Sequence, residues 1–249
     1  LESKRLPRKL LADVGGKPLL QRVLERCLEA QQPAAVVLCT DSEELREQVT
    51  QWPLARPVPV LMTPASCSSG SERLASALPE LLALSGSSDP SSCWVVNVQG
   101  DQPFVDPTII DAMAERCSTA RTDVLTPVYR LPPEKIHNPA VVKCLLAHDG
   151  RCLTFSRSAL PHVRDVSPDQ WHAHAAYWGH VGIYGYRAEV LAQWNDLPAS
   201  PLEAIEKLEQ LKLLEAGIAI GSFPVEADSL SVDTAEQLDE ARQIAAQLR

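Results

Sequence analysis

The chain is 249 residues long, 45% hydrophobic and 22% charged, which fits one large globular domain or one domain carrying a sizeable insertion. Its net charge of −9 and pI near 5.2 argue against nucleic acid or an anionic membrane as the main partner. No apolar run approaches the roughly 18–20 residues of a membrane-spanning helix, and no secretory signal pattern opens the sequence.

In chain order, "LESKRLPRKLLADVGGK" (1–17) gathers Lys4, Arg5, Arg8, Lys9 and Lys17 against only Glu2 and Asp13. A basic segment on an acidic protein is either an anion-binding loop or a solvated terminus. The spacing is not that of a Walker-type nucleotide loop, although "GGK" before a helix could help to cradle an anion. "PLLQRVLERCLEA" (18–30) predicts a helix with Leu20, Val23, Leu24, Cys27 and Leu28 on one face. "AAVVLCT" (34–40) predicts a strand, and "SEELREQVTQW" (42–52) a helix opened by Ser42 in a capping box. "CSSGSERL" (67–74) is a small-residue loop running into a predicted helix over 71–84, a phosphate or base contact or simply a capped helix start.

"WVVNVQGDQP" (94–103) is a buried strand that ends on Gly100 and Asp101. In a doubly wound sheet, ligands bind beyond the carboxyl ends of the strands. Asp101 stands there, with a glycine that permits close backbone approach, as a candidate ligand for a divalent cation carrying phosphates. A turn-former or helix cap is the competing reading. A helix over 106–117 follows. Residues 119–187 are strand-rich and read as an antiparallel insertion, with strands over 123–129, 140–146 and 180–186. His172 and His174 could ligate metal but read better as exposed. A helix is predicted over 202–217, stopped by Gly217, and another over 233–248. Asp233, where an apolar run meets that last helix, is either a second cation ligand or its N-cap, with Glu236 completing a capping box. The seven cysteines are scattered and show no C-x-x-C spacing, which points to reduced core thiols, a cytoplasmic location and no zinc site.

Several stretches together resemble the 3-deoxy-manno-octulosonate (Kdo) cytidylyltransferases, also called CMP-Kdo synthetases, along almost the whole chain. They are "SKRLPRKLL" (3–11), "GGKPLLQRVLERC" (15–27), "CTD" (39–41), "SSGSERLA" (68–75), "VNVQGDQP" (96–103), "NPAVVK" (138–143), "FSRSALP" (155–161), "HVGIYGYR" (180–187), "SPLEAIEKLEQLKLL" (200–214) and "SVDT" (231–234). The resemblance implies an α/β, Rossmann-like nucleotidyltransferase fold: a mixed, mostly parallel sheet with helices on both faces. Residues 1–249 would form a single domain, and the strand-rich 119–187 insertion would make much of a homodimer interface. It implies the joining of CTP and Kdo to give CMP-Kdo and pyrophosphate, with Mg2+, for lipopolysaccharide or related glycan synthesis. In that scheme Arg5 and Lys9 hold the triphosphate, Ser69, Gly70, Ser71 and Arg73 contact the nucleotide with Gln99 nearby, and Asp101 and Asp233 bind the metal. His180, Tyr184, Glu209 and Gln210 line the sugar-acid pocket, with Arg157 a candidate for its carboxylate.

Departures from the pattern carry their own expectations. Arg8 and Leu10 replace a glycine and a proline usual in the family's basic loop, and Cys67 replaces a polar residue. A buried strand and a Pro-Ala-Arg triplet, usual upstream of Ser3, are not in the sequence, so the expectation is an N-terminally incomplete domain with impaired folding or activity. The alternatives to a Kdo enzyme are a cytidylyltransferase for another acidic sugar, such as sialic acid, and a non-catalytic CTP-binding protein.

Overall fold

Helical and extended segments alternate through the first half of the chain because apolar residues recur there at periods of 3.6 and then 2. The structure, a computed structural model, describes residues 6–86, 90–226 and 229–248. Helix α1 (Leu19–Glu29) buries Leu20, Val23, Leu24 and Cys27 on one face, as the spacing predicts. Strands β1 (Leu38–Thr40) and β2 (Val60–Met62) pair in parallel, with α2 (Glu43–Gln51) as the crossover between them. Helices α3 (Gly70–Ser76) and α4 (Leu78–Ser85) lead to β3 (Trp94–Val98), and α5 (Pro107–Cys117) to β4 (Val124–Arg130). Then come β5 (Lys143–Leu146), β6 (Cys152–Ser156), β7 (Trp178–His180), β8 (Ile183–Arg187), α6 (Ala188–Ala192), α7 (Pro201–Glu206), α8 (Gln210–Glu215), β9 (Ile220–Val225) and α9 (Ala235–Gln247).

The larger sheet runs β3-β8-β4-β7-β5-β6, and β9 joins β4. Its centre is β4, whose residues 124–129 are all buried, as a strand covered on both faces requires. Strands β8 and β7 share one edge of β4. Where they meet, the buried Thr126 hydroxyl lies 3.1 Å from the carbonyl of Val181 and 2.9 Å from that of Ile183, and satisfies the broken ladder. The sheet is mixed, as expected, but its parallel share is small. Among the described strands β1–β2 and β4–β9 are parallel and the other pairs antiparallel, because β8, from the strand-rich segment, inserts between β3 and β4.

Other local expectations are corrected. Residues 34–37 form no ladder, and only Leu38–Thr40 pair with a neighbour. The predicted 71–84 helix breaks at Ala77, ahead of Pro79, and the 202–217 helix breaks at Lys207, which takes a left-handed φ of 55°. Ser42 does cap α2 by accepting the Leu45 amide, but the residue three places on is Leu45 itself, so no capping box forms. Between β1 and β3 lies an apolar slot of ≈ 580 Å³, lined by Leu24, Val36, Leu38, Val96 and Ile110 among others.

Candidate active site

Beyond the carboxyl end of β3, three contacts assemble one charged cluster. Gly100 comes first: a β-carbon there would stand 3.3 Å from Leu10 Cδ2 and 3.5 Å from Leu20 Cδ1. The missing side chain lets the basic loop pack directly against the strand end, with Leu10 half-buried on the core. Second, the Val232 amide donates to the carbonyl of Asp101 at 2.9 Å, which draws the segment before α9 to the same spot. Third, the cap of α9 is Thr234, in a capping box with Gln237, and the Gln237 carbonyl also accepts the Asp233 amide at 2.8 Å. The cap that the sequence offered to Asp233 and Glu236 is thus shifted by one residue, and the Asp233 carboxylate points elsewhere.

It points at Lys9. The Lys9 ammonium donates to Asp101 Oδ2 at 2.8 Å and to Asp233 Oδ1 at 2.9 Å. Burial of Lys9 works against its charge, yet the two carboxylates outweigh it and raise the ammonium above its ordinary pKa. Two carboxylates on one spot suit magnesium, which takes one or two protein carboxylates and completes its shell with water and phosphate oxygens. Among the described residues no third acidic, His or Cys group joins them.

The other described cations of the basic loop, Arg8 and Lys17, point away. Arg8 takes a left-handed φ of 55° where a glycine would rest more easily, and its guanidinium pairs with Glu44. Lys17 donates to Glu25 at 2.7 Å and not to the cluster. Arg5 lies outside the described residues. His172 and His174 are exposed on a short helical turn, as expected.

Next to Lys9 and Asp101 opens a polar cleft of ≈ 700 Å³, bounded also by Asp41, Cys67, Arg73 and Gln99. Arg73 bonds Thr63 and lies 3.4 Å from Asp41, so it tethers the ends of β1 and β2 to α3. Sequence reasoning missed both partners; "CTD" and the loop at Thr63 carry no signal of a shared arginine. Ser69 is the N-cap of α3, accepting the Glu72 amide at 3.1 Å, and its hydroxyl donates to Glu209 Oε1 at 2.7 Å. Ser71 is fully buried with its hydroxyl 2.9 Å from Tyr186. The capped helix start is therefore observed, with Ser69 as the cap.

Glu209, the partner of Ser69, directly precedes α8, and His180 and Tyr184 stand on β7 and β8. His180 and Tyr184 rings lie 5.2 Å apart, and Tyr184 stacks on Tyr186 at 5.6 Å. Burial pushes the His180 imidazole down to about 3, so it is neutral at ordinary pH. Burial raises Glu209 above the usual carboxylate range, against the hydrogen bonds from Ser69 and Ser71. The buried His180 Nε2 and Gln210 Nε2 find no partner among the described residues. Arg157 stands apart: Nε donates to the Glu206 carbonyl at 2.8 Å and Nη1 to that of Pro139 at 3.2 Å. Among the described residues, no hydrogen bond or ion pair joins Arg157 to His180, Tyr184, Glu209 or Gln210.

Several known proteins are similar to this chain over nearly its whole length. The sequence profile described as cytidylyltransferase matches residues 1–220. A 3-deoxy-manno-octulosonate cytidylyltransferase of Porphyromonas gingivalis is 37% identical over 243 residues, covering 96% of this chain and 91% of that one. One from Methylococcus capsulatus is 40% identical over 248 residues, covering 96% and 91%. The solved structure of CMP:2-keto-3-deoxy-manno-octonic acid synthetase complexed with CTP superposes with a TM-score of 0.85 at 32% identity, over 99% of this chain and 95% of that one. A glucose-1-phosphate thymidylyltransferase of Bacillus anthracis, 14% identical with a TM-score of 0.65, shares the fold alone. The profile match and the 37–40% identity nearly end to end place this chain in the 3-deoxy-manno-octulosonate cytidylyltransferase family.

Proposed function

We propose that the protein joins CTP and Kdo to give CMP-Kdo and pyrophosphate, with magnesium, in the cytoplasm and in the service of Kdo-containing glycans such as lipopolysaccharide. The observation that carries this reading is the meeting of Asp101, Asp233 and Lys9 beside the polar cleft. The anomeric 2-hydroxyl oxygen forms a bond to the α-phosphorus, the bond from that phosphorus to the bridging oxygen breaks, and pyrophosphate leaves. The hydroxyl proton passes to solvent water as the new bond forms.

Asp101 and Asp233 would hold the cation, which when bound offsets phosphate charge and acidifies the attacking hydroxyl. Lys9 turns from the carboxylates to the phosphates, so that its charge follows the negative charge as it develops on the leaving group. Arg73 and Gln99 border the nucleotide's side of the cleft, and Ser69 to Ser71 place α3 against it. Neutral His180, together with Tyr184, Glu209 and Gln210, binds the sugar acid without adding a competing cation. Catalysis of this kind is positioning plus electrostatics.

Free cysteines at all seven positions accord with a reducing compartment. A homodimer is supported by exposed apolar residues on β6 and α7, with Leu153 54%, Leu202 46% and Ile205 77% accessible. Pyrophosphate release from CTP and Kdo tests the activity. Asp101→Asn and Asp233→Asn should each lower kcat/KM by about 100-fold or more while the fold persists. Near-normal turnover in both would overturn the assignment.

A further inference from the structure

Asn97 lies on β3 directly opposite Tyr184 of β8 in the antiparallel register. Residues so paired project their side chains to the same face of the sheet. Asn97 is only 7% exposed, and its buried Nδ2 has no hydrogen-bond partner among the described residues. A buried amide donor left unpaired is costly and is kept only where something supplies the acceptor.

Its surroundings say where that acceptor comes from. A β-carbon built on Gly70 would stand 3.5 Å from Asn97 Nδ2 and 3.4 Å from Gln99 Nε2. The glycine therefore leaves the Asn97 amide a gap beside the Ser69–Ser71 loop. On the other side, Tyr184 leads to His180. Asn97 Nδ2, His180 Nε2 and Gln210 Nε2 are three buried nitrogens without a partner among the described residues. The ligand that satisfies such a set is rich in acceptor oxygens, as a polyhydroxylated sugar acid is and as an apolar or cationic ligand is not.

We propose that Asn97 is a further specificity residue, donating through Nδ2 to an oxygen of the bound sugar acid at its junction with the nucleotide. The inference rests on the function proposed above and extends its acceptor pocket to β3. Steady-state kinetics on Asn97→Ala and Asn97→Asp, each checked by thermal melting, tests it. Ala removes the donor without adding charge, and Asp keeps the shape while turning donor to acceptor. Both should raise KM for Kdo about 10-fold or more and leave KM for CTP within about twofold. An unchanged KM for Kdo, or an equal rise in both constants, overturns the proposal. If the wild-type protein gives no turnover, the functional reading fails separately, and calorimetric titration of Kdo into wild type and Asn97→Ala then decides. Weaker binding to the variant upholds the role of Asn97; equal binding, or none to either protein, overturns it.

Discussion

Lys9 reaches Asp101 and Asp233 across sequence separations of 92 and 224 residues, so one ammonium ties the basic loop to both ends of the site. Its raised pKa has a definite sign: the stabilisation is fully present below the unfolded lysine's pKa and is lost as pH climbs through the higher folded value. Replacing Lys9 with Met leaves two carboxylates face to face. Lys9→Met should melt earlier than wild type without metal and gain more in Tm from added magnesium; equal gains would count against a cation seat between the two aspartates. His180 gives a second pH dependence of opposite direction. Its pKa is held near 3, against an ordinary value of 6.5, so the unfolded chain binds the proton more readily. Stability should fall as pH drops from about 6.5 towards 3, and His180→Gln should flatten that slope in urea midpoints measured across the range. An unchanged slope would mean that the imidazole titrates as if in water. Asp101 was legible in the sequence because a strand running into Gly-Asp announces a sheet edge. Asp233 was legible only as one of two readings, cation ligand or N-cap, and the Thr234–Gln237 capping box shows that the cap is Thr234.

At the scale of elements, helices with a clear apolar face read correctly: α1, α2, α5 and α9 stand within two residues of their expected bounds. The misread helices are those whose pattern continues through a break. Nothing in "EAIEKLEQL" signals that Lys207 turns left-handed, yet that turn starts α8 at Gln210 and places Glu209 beside Ser69. The segment 34–37 reads as a strand from its valines, but pairing needs a neighbour, which composition cannot report. Helix α5 sits so close to β8 that a β-carbon on Gly185 would stand 2.9 Å from Met113 Sδ and 3.0 Å from Cys117 Sγ. Gly185→Ala should therefore cost about 1–3 kcal/mol in a denaturant titration. It should also weaken activity, because β8 carries Tyr184. An unshifted midpoint would show that α5 can give way freely.

For the whole molecule, the proposed homodimer would form through a face that includes the exposed Ile205 of α7. Sedimentation should report a dimer for the wild type and a monomer for Ile205→Glu; a wild-type monomer, or an unaffected dimer, would remove that face from the assembly. A different surface follows from the split sheet. Among the described strands, β1 and β3 each end a pairing order, and both line the apolar slot between them. Backbone donors and acceptors in that state are a template for any extended chain, including another molecule of the same protein. An extended apolar peptide added in solution should therefore bind in the slot by pairing with β1 or β3, and added strand signal in the infrared amide band would report it; no change on addition would count against those edges as a template.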